Sequence, residues 1–451
     1  MHAKRVLVAL IAVGLAWCGG LAGHAAEPLR IGALPVSPPE LAHELGSAYA
    51  ASADVPVAVT VCKGFDEIRD SLQAGRFDVV FGTCPGSAKK LAELGLVVPE
   101  SDTVIYYYRL AMMIAAGNPR GIFRAEDLAR SDVRVGLCTT HAAGPLAEKL
   151  KTTAAVVSTD RDLLLDLLEQ GRLDVVVGLD SCGGVRPALV TIRLPRRAAG
   201  EGAAIPGHAF IAKSTSRQAD AQAFLDFCAK SDEARKIMLN RALMLQDGSD
   251  AGSYQRGARS RTMPVYQALA QQIAEDYAVQ ARAILDLGCG PGEMTVEIAK
   301  ATQAEVTGLD IEPETIELGG QYADECGVGS RMHWVAADVH ALPFADSSFD
   351  VVVSRGSIFF WRDQVTALRE VMRVLRPGGV VFIGGGYGRL FPKSEWEKIH
   401  PGVDPNTNAA RVFHFPFPLT SIPALMARAG INDYHHITEG GTWIEFRKPR
   451  A

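Results

Sequence analysis

The sequence predicts an α/β protein built from two domains. The chain has 451 residues, which is enough for two or three domains of ordinary size. Short β-branched runs alternate with amphipathic stretches along most of it, as they do in βα units. Apolar residues make up 48% of the composition and charged residues 22%, which is typical of a folded globular protein and excludes a disordered or collagen-like chain.

The overall charge is small and slightly negative. Lys and Arg total 46 against 51 Asp and Glu, a net charge of -5. A protein that binds nucleic acid or an anionic membrane surface normally shows a basic excess, which is absent here. We therefore expect no nucleic-acid partner, and a small-molecule substrate or ligand instead.

The N-terminal segment, residues 1–26, has the features of a secretory signal peptide. Lys4 and Arg5 precede an apolar run over residues 6–23, and small residues then allow cleavage before Glu27. The sequence predicts a periplasmic or secreted protein with no stable membrane span after cleavage. The alternative is a membrane-anchored protein in which the signal is not cleaved.

Residues 27–245 are predicted to form a first α/β domain. Two segments in it echo each other, residues 71–80 and residues 167–176, and each is a helix end with a glycine followed by a buried strand. This recurrence indicates two similar lobes. The predicted strands are residues 29–33, 57–61, 78–82, 133–137 and 174–178.

The strand order, the Leu72-Gln73-Ala74-Gly75 turn and the helix start at residues 144–147 resemble the periplasmic molybdate-binding proteins and related substrate-binding proteins of uptake systems. The resemblance implies a periplasmic binding protein-like domain. Its two lobes would be joined by crossing strands and would close on a ligand cleft by a hinge motion.

Residues 246–263 are polar, rich in Gly and Ser and without periodicity, so they are predicted to be a linker. The second domain, residues 264–451, opens with a predicted helix from residue 264 to about residue 280. A second alternation of strands and helices follows it.

A glycine-rich loop is the strongest motif of the second domain. The apolar strand 283–287 runs into Gly288, Gly290 and Gly292, and a helix follows. Such a loop turns tightly beneath a nucleotide-like cofactor and presents main-chain donors to it, although the same pattern can be a plain turn from a strand to a helix. Asp310 ends the next strand roughly 20 residues later, where an acid can accept the hydroxyls of a ribose.

Asp338 ends a third strand, and residues 375–382 contain a Leu-Arg-Pro-Gly-Gly turn before another. Together these motifs resemble the class I S-adenosylmethionine-dependent methyltransferases, of the group that includes quinone-biosynthesis C-methyltransferases. A dinucleotide dehydrogenase fits the glycine loop alone but not the Leu-Arg-Pro-Gly-Gly turn. The resemblance implies a Rossmann-like domain with a mostly parallel seven-stranded sheet.

The resemblance also implies a set of cofactor-binding residues for S-adenosyl-L-methionine. Four residues would lie under its methionine part, one would hold the ribose, two would flank the adenine, and two would line the mouth where the acceptor approaches. In that order these are Asp286, Gly288, Gly290 and Gly292; Asp310; Asp338 and Val339; and Ser354 and Arg355.

The motifs do not predict a catalytic residue, because methyl transfer depends mainly on positioning. Four histidines of the C-terminal part are candidate bases, although each has the simpler interpretation of a surface or packed residue: His400, His414, His435 and His436. The aromatic residues Phe359, Phe360 and Trp361 also have two interpretations, as the wall of a pocket or as part of the core.

Four cysteines of the first domain, Cys62, Cys84, Cys138 and Cys182, lie at or just after predicted strand ends. Because the carboxyl ends of parallel strands face the ligand crevice, the four thiols could converge on one cleft. Such a cleft would bind a soft metal or metalloid ion. Disulfide bonds within each lobe are the main alternative in an exported protein, and unpaired packing is a third.

Two functions of different classes follow from these motifs. One is a methyltransferase whose fused domain captures a small ligand. The other is an exported receptor whose methyltransferase-like domain binds the cofactor without turnover. The predicted export conflicts with the predicted cofactor, because S-adenosylmethionine is made in the cytoplasm. Both functions therefore need an explanation of how the exported domain obtains it.

Overall fold

The described parts of the chain form two separate β-sheets, one in each half. The signal peptide and almost all of the predicted linker lie outside those parts, so the predicted domain boundaries stay a prediction. The computed structural model describes residues 27–34, 39–139, 145–180, 186, 188–195, 204–240, 262–407, 409, 419 and 421–450.

The first half alternates strands and helices as the sequence predicts. In chain order its elements are β1 Leu29–Ala33, α1 Pro39–Ala53, β2 Val57–Val61, α2 Phe65–Gln73, β3 Val79–Thr83, α3 Pro85–Glu93, β4 Thr103–Ala115, β5 Val135–Cys138, α4 Pro145–Thr153, β6 Val156–Ser158, α5 Arg161–Glu169, β7 Val175–Leu179, β8 Leu189–Arg193, β9 Ala204–Ile211, α6 Gln218–Lys230 and α7 Asp232–Asn240.

The strands of the first half are arranged in two lobes that share one long strand. The order is β2-β1-β3-β9-β4-β7-β5-β6, with β8 also paired to β4. Strands β1, β2 and β3 are parallel in one lobe, and β5, β6 and β7 are parallel in the other. The 13-residue β4 pairs with β9 along its first part and with β7 and β8 along its second part.

Predicted strands 29–33 and 57–61 match β1 and β2, and the other three are displaced by one or two residues. Strands β4, β6, β8 and β9 were not among the predicted strands of the first half. Most of β4 is buried, with no regular alternation of buried and exposed residues, so its sequence lacks the period of two that marks a half-exposed strand.

The two echoing segments have the same structure. Gly75 has φ 65° and Gly171 has φ 66°, left-handed values that end α2 and α5 without the penalty that a side chain would add. In one lobe Asp78 accepts bonds from the Arg30 side chain and main chain, at 2.8 to 3.0 Å. In the other lobe Asp174 accepts the equivalent bonds from Arg134, at 2.8 to 2.9 Å. The recurrence therefore reflects one lobe design used twice.

The second half begins with a helix that starts one residue before its predicted start and ends at Asp276. Its elements are α8 Met263–Asp276, β10 Ala283–Leu287, α9 Glu293–Ala301, β11 Glu305–Asp310, α10 Pro313–Glu325, β12 Met332–Ala336, β13 Phe349–Arg355, α11 Gln364–Val374, β14 Leu375–Gly386, α12 Lys393–Ile399, α13 Ile422–Ala429, β15 Tyr434–Ile437 and β16 Gly441–Arg447.

The predicted seven-stranded, mostly parallel sheet is confirmed. Its order is β12-β11-β10-β13-β14-β16-β15, and β16 is antiparallel to both of its neighbours. Strand β10 has β11 on one side and β13 on the other, so the chain reverses its direction of winding there. In open α/β sheets the crevice at such a point, beyond the carboxyl ends of the strands, is the usual ligand site.

Both faces of the second sheet are covered. Ile284 and Leu285 are fully buried neighbours on β10, yet they belong to two different apolar clusters, because successive side chains of a strand point to opposite faces. This explains why the strand is a continuous apolar run. Within the described ranges, every helix is too short or too polar to cross a membrane.

We expect Asp78→Ala to destabilise the first half strongly. Asp78 is 1% exposed and also accepts a 2.7 Å bond from Thr215, so its loss leaves several donors without their acceptor. Such losses cost about 3 kcal/mol or more in the free energy of unfolding, measured by urea denaturation at pH 7. Asp132→Ala is the control, because Asp132 pairs with Arg130 at an exposed site. An equal effect of both substitutions would contradict the prediction.

The effect of Asp78→Ala should also depend on pH. Burial raises the pKa of Asp78, but bonds from Arg30 and Thr215 outweigh burial and hold the pKa below its ordinary value. A lowered pKa gives stability that is present above about pH 4 and is lost as the pH falls further. The difference between the variant and the wild type should therefore shrink in acid.

Candidate functional site

The loop between β10 and α9 has a backbone that only glycine adopts easily. Gly288, Gly290 and Gly292 have φ of 65°, 55° and 84°, all in the left-handed region. A Cβ atom would also clash at two of them: on Gly288 it would lie 2.1 Å from the Cβ of Ser357, and on Gly292 it would lie 2.3 Å from the ring of Trp334. The loop is therefore constrained both by conformation and by space.

Asp310, at the end of β11, holds this loop in place. Its Oδ2 accepts a 2.8 Å bond from the amide of Gly290, and its Oδ1 accepts a 3.0 Å bond from the amide of Glu312. Burial raises the pKa of Asp310, while these main-chain donors oppose the shift. The structure thus brings Asp310 next to the glycine loop, where the sequence predicted it.

Asp286 is a buried acid beneath the loop. The hydroxyl of Thr295 donates a 2.7 Å bond to its Oδ2, while its Oδ1 has no hydrogen-bond partner among the described residues. Burial raises the pKa of Asp286 to about 7, and the nearby charge of Asp310 adds to this rise. An acid in this state gains most from a ligand that brings a donor or a positive charge.

Cys289 lies inside the same loop. Burial raises its pKa well above the ordinary value, and the carboxyl groups of Asp310 and Asp286 raise it further. This shift favours the protonated thiol over the nucleophilic thiolate.

Asp338, predicted to flank the adenine, is already engaged by its neighbours. His340 approaches Oδ1 with both its amide and its ring, and Arg362 donates to Oδ2 at 2.6 Å. Burial would raise the pKa of Asp338, but His340 and Arg362 outweigh it and hold the pKa far below its ordinary value. Asp338 is therefore a fixed anion. Val339 next to it is buried in the core cluster of one face.

Ser354 was predicted to line the opening where the methyl acceptor approaches. In the structure it supports the glycine loop through Ser357. It is 1% exposed and lies 2.7 Å from the hydroxyl of Ser357. Ser357 donates a 2.9 Å bond to the carbonyl of Leu287 and accepts a 3.1 Å bond from Trp361. The sequence motifs do not indicate Ser357, because nothing in its local sequence distinguishes it from other serines.

Arg355 is held by the second sheet and by α8. Its Nε donates a 2.9 Å bond to the carbonyl of Gly386, and its guanidinium lies 4.9 Å from the ring centroid of Tyr266. Of the aromatic candidates, Trp361 and Phe359 are buried in the core, whereas Phe360 is exposed. The simpler core interpretation therefore holds for Trp361 and Phe359.

Three of the candidate histidines are described, one at the end of α12 and two on β15. His400 lies 4.3 Å from Trp396, centroid to centroid, at the end of α12. His435 and His436 are exposed on β15, an edge strand. His414 lies outside the described residues. The histidine close to a predicted cofactor residue is His340, which the sequence analysis did not consider.

Of the four cysteines predicted to converge in the first half, three are described, and each follows or ends a strand. Cys62 follows β2, Cys84 follows β3 and Cys138 ends β5. All three are buried thiols, so a disulfide between Cys62 and Cys84 is not formed in this structure. Burial raises the pKa of Cys62 to about 11, which keeps it protonated at neutral pH.

Among the residues that the structure describes, no three His, Cys, Asp or Glu side chains are grouped so that they could hold a metal ion. Cys182 lies outside those residues. The predicted set of four thiols therefore stays a prediction.

Two protein families match separate parts of the chain. Residues 285–383 match the family described as "Methyltransferase domain", and residues 36–240 match the family described as "Bacterial extracellular solute-binding protein". The first match contains the glycine loop, Asp310 and Asp338, and the second covers both lobes of the first half.

Curated relatives match the second half. A 27-O-demethylrifamycin SV methyltransferase of Amycolatopsis mediterranei is 38% identical over 101 residues, 22% of this chain and 37% of the relative. A ubiquinone/menaquinone biosynthesis C-methyltransferase of Geotalea daltonii is 38% identical over 109 residues, 24% of this chain and 46% of the relative. The chain spans less than half the length of each of these relatives.

Solved structures match each half. A putative S-adenosyl-L-methionine-dependent methyltransferase from Methanococcus maripaludis is 28% identical with a TM-score of 0.41, covering 46% of this chain and 94% of that one. The periplasmic molybdate-binding protein of Azotobacter vinelandii is 16% identical with a TM-score of 0.37, covering 49% of this chain and 100% of that one. From the family matches, we conclude that the chain joins a solute-binding-protein region at its N-terminal side to a methyltransferase-domain region at its C-terminal side.

Proposed function

We propose that the second half binds S-adenosyl-L-methionine and transfers its methyl group to a small-molecule acceptor. The observation that carries this proposal is the buried Asp286, whose Oδ1 has no hydrogen-bond partner among the described residues. Asp286 lies beneath the glycine loop, and Asp310 fixes that loop by accepting the amide of Gly290. A cofactor with a positively charged methionine part supplies the missing interaction. When bound, the cofactor provides an electrophilic methyl group on its sulfonium.

Each residue of the site has a separate task in this proposal. Asp286 and the glycine loop hold the methionine part, Asp310 accepts the ribose hydroxyls, and Val339 packs against the adenine. His340 and Arg362 hold Asp338 in place, and its task is to fix the loop beside the adenine. Catalysis then rests mainly on alignment of the acceptor with the methyl group.

For the first half we propose binding of a small solute in the cleft between the lobes. The match to extracellular solute-binding proteins supports this, and so does the sharing of β4 by both lobes. A soft metal or metalloid ion is one candidate ligand. It would have to displace the proton of Cys62, so its affinity should fall as the pH falls.

One observation favours the alternative of a binding module without turnover. The loops of the cofactor site pack against the first half, as the bridge between Ile192 and Ala337 shows. A site whose loops contact the solute-binding half suits the sensing of a cofactor as well as its use. Formation of S-adenosylhomocysteine separates the two functions, because only the enzyme produces it.

We expect Asp310→Ala to weaken S-adenosylmethionine binding at least tenfold. Each ribose hydroxyl that loses its acceptor in a buried site costs roughly 1 to 3 kcal/mol. Calorimetry of the full chain measures the change, with Glu305→Ala on the same strand as the control, because Glu305 is exposed. Unchanged affinity in Asp310→Ala would show that the ribose binds elsewhere, and no binding by the wild type would end the proposal.

Cofactor binding should also strengthen as the pH rises through about 7. The raised pKa of Asp286 keeps it largely neutral below pH 7, and a cationic ligand favours its ionised form. A ligand that lowers this pKa by one unit gains about tenfold in affinity across the transition. The ratio of wild-type affinity to Asp286→Asn affinity, measured from pH 5.5 to 8.5, cancels the ligand's own titration. A ratio that does not change with pH would contradict the contact.

We further propose that the protein is exported and that the mature chain begins near Glu27. The order of basic residues, apolar run and small residues at the N-terminus supports this, as does the match to extracellular solute-binding proteins. Intact-mass analysis of protein from the cell envelope should show loss of residues 1–26. Recovery of the chain with Met1 from the cytoplasm would contradict export and would remove the conflict over cofactor supply.

A further inference from the structure

The loops that hold the cofactor residues contact the second lobe of the first half. Ile192 on β8 forms an isolated antiparallel bridge with Ala337, the residue before Asp338. Phe123 lies 5.9 Å from Phe344, centroid to centroid, and packs against the core cluster of the second half. The loop after β12 is therefore anchored to the first half by a main-chain bridge before Asp338 and Val339 and by an aromatic contact after them.

Arg109 lies where the two lobes of the first half meet. On β4 it is the last residue in register with β9, opposite Ala204, and Leu110 is the first in register with β7, opposite Leu179. Its main-chain amide donates to Asp180, just after β7, at 3.2 Å. A residue at this crossing point moves when one lobe turns against the other.

The side chain of Arg109 reaches the second half. It is fully buried, and its guanidinium forms ion pairs with Glu314 and, at 3.0 Å, with Glu312. Both glutamates belong to the start of α10, directly after the predicted ribose acid. A buried guanidinium requires charged or hydrogen-bonded partners, because an unpaired charge is expensive away from water. The ion pairs therefore fix the position of the Arg109 side chain and the positions of both glutamates.

A short chain of contacts joins Arg109 to the cofactor site. Arg109 pairs with Glu312, the amide of Glu312 donates to Asp310, and Asp310 accepts the amide of Gly290 in the glycine loop. Burial raises the pKa of Glu312, and its hydrogen bond with Glu314 raises it further, whereas Arg109 lowers it.

We propose that Arg109 is a positioning residue of the cofactor site, supplied by the solute-binding half, and that it couples the arrangement of the two lobes to cofactor affinity. The proposal rests on the proposed function for the cofactor itself. Arg109 touches no cofactor atom. It acts by holding the Glu312–Glu314 segment, which sets the orientation of Asp310. Because coupling between two sites is reciprocal, cofactor binding also favours one arrangement of the lobes.

A double-mutant cycle in the full chain tests the proposal. We expect Arg109→Met and Glu314→Gln each to weaken S-adenosylmethionine binding fivefold or more by calorimetry, which is the lower end of typical coupling between sites. The double variant should bind no more weakly than Arg109→Met alone, since Arg109→Met already removes the contact that Glu314→Gln removes. Arg109→Lys, which retains the charge, should recover part of the affinity. Wild-type affinity in Arg109→Met, or additive effects in the double variant, would overturn the proposal.

Hydrogen exchange without cofactor gives an independent measurement. Peptides that cover residues 310–316 should exchange faster in Arg109→Met than in the wild type. The matched control is Arg120→Met, which removes an arginine that pairs with Asp174 inside its own lobe. Unchanged exchange in Arg109→Met would overturn the proposal.

The two measurements separate the two proposals. If the wild type binds no S-adenosylmethionine, the proposed function fails, and exchange still decides whether Arg109 holds the segment. If Arg109→Met does not fold, Glu314→Gln removes the same contact from the other side and carries both measurements.

Discussion

The carboxylate of Asp310 is the contact on which the second half's site depends. It accepts one amide from the glycine loop and one from the start of α10, so it fixes the two segments against each other. The left-handed φ values of Gly288, Gly290 and Gly292 set the backbone conformation of the loop. The hydrogen bond to Asp310 then fixes the loop beside the buried Asp286. This arrangement is the basis of the proposed cofactor site.

The same segment connects the two halves of the chain. The amide of Glu312 donates to Asp310, and its carboxyl group pairs with Arg109. One residue therefore connects Asp310, which fixes the glycine loop, with the junction of the two lobes. A fusion of two independent modules would not need a fully buried arginine at their contact. We infer that the halves work as one unit, in which the lobes influence the site.

Much of this could be predicted from the sequence, for identifiable reasons. The glycine loop and Asp310 were predictable because their spacing is dictated by a strand, a turn and a second strand. The repeated lobe design was visible in the recurrence around Gly75 and Gly171, and the structure traces it to equivalent arginine and aspartate pairs. Ser357 was not predictable, because its role comes from a packing contact with a distant glycine. Arg109 was missed because its partners lie in the other half.

The central claim is that the glycine loop forms a cofactor cradle, and native mass spectrometry of the full chain with S-adenosylmethionine tests it most directly. We expect one cofactor per wild-type chain and none on Gly288→Val, whose side chain would enter the space of Ser357. Thermal unfolding should show that the variant is folded. A wild-type chain that carries no cofactor, or a folded Gly288→Val chain that still carries one, would contradict the account.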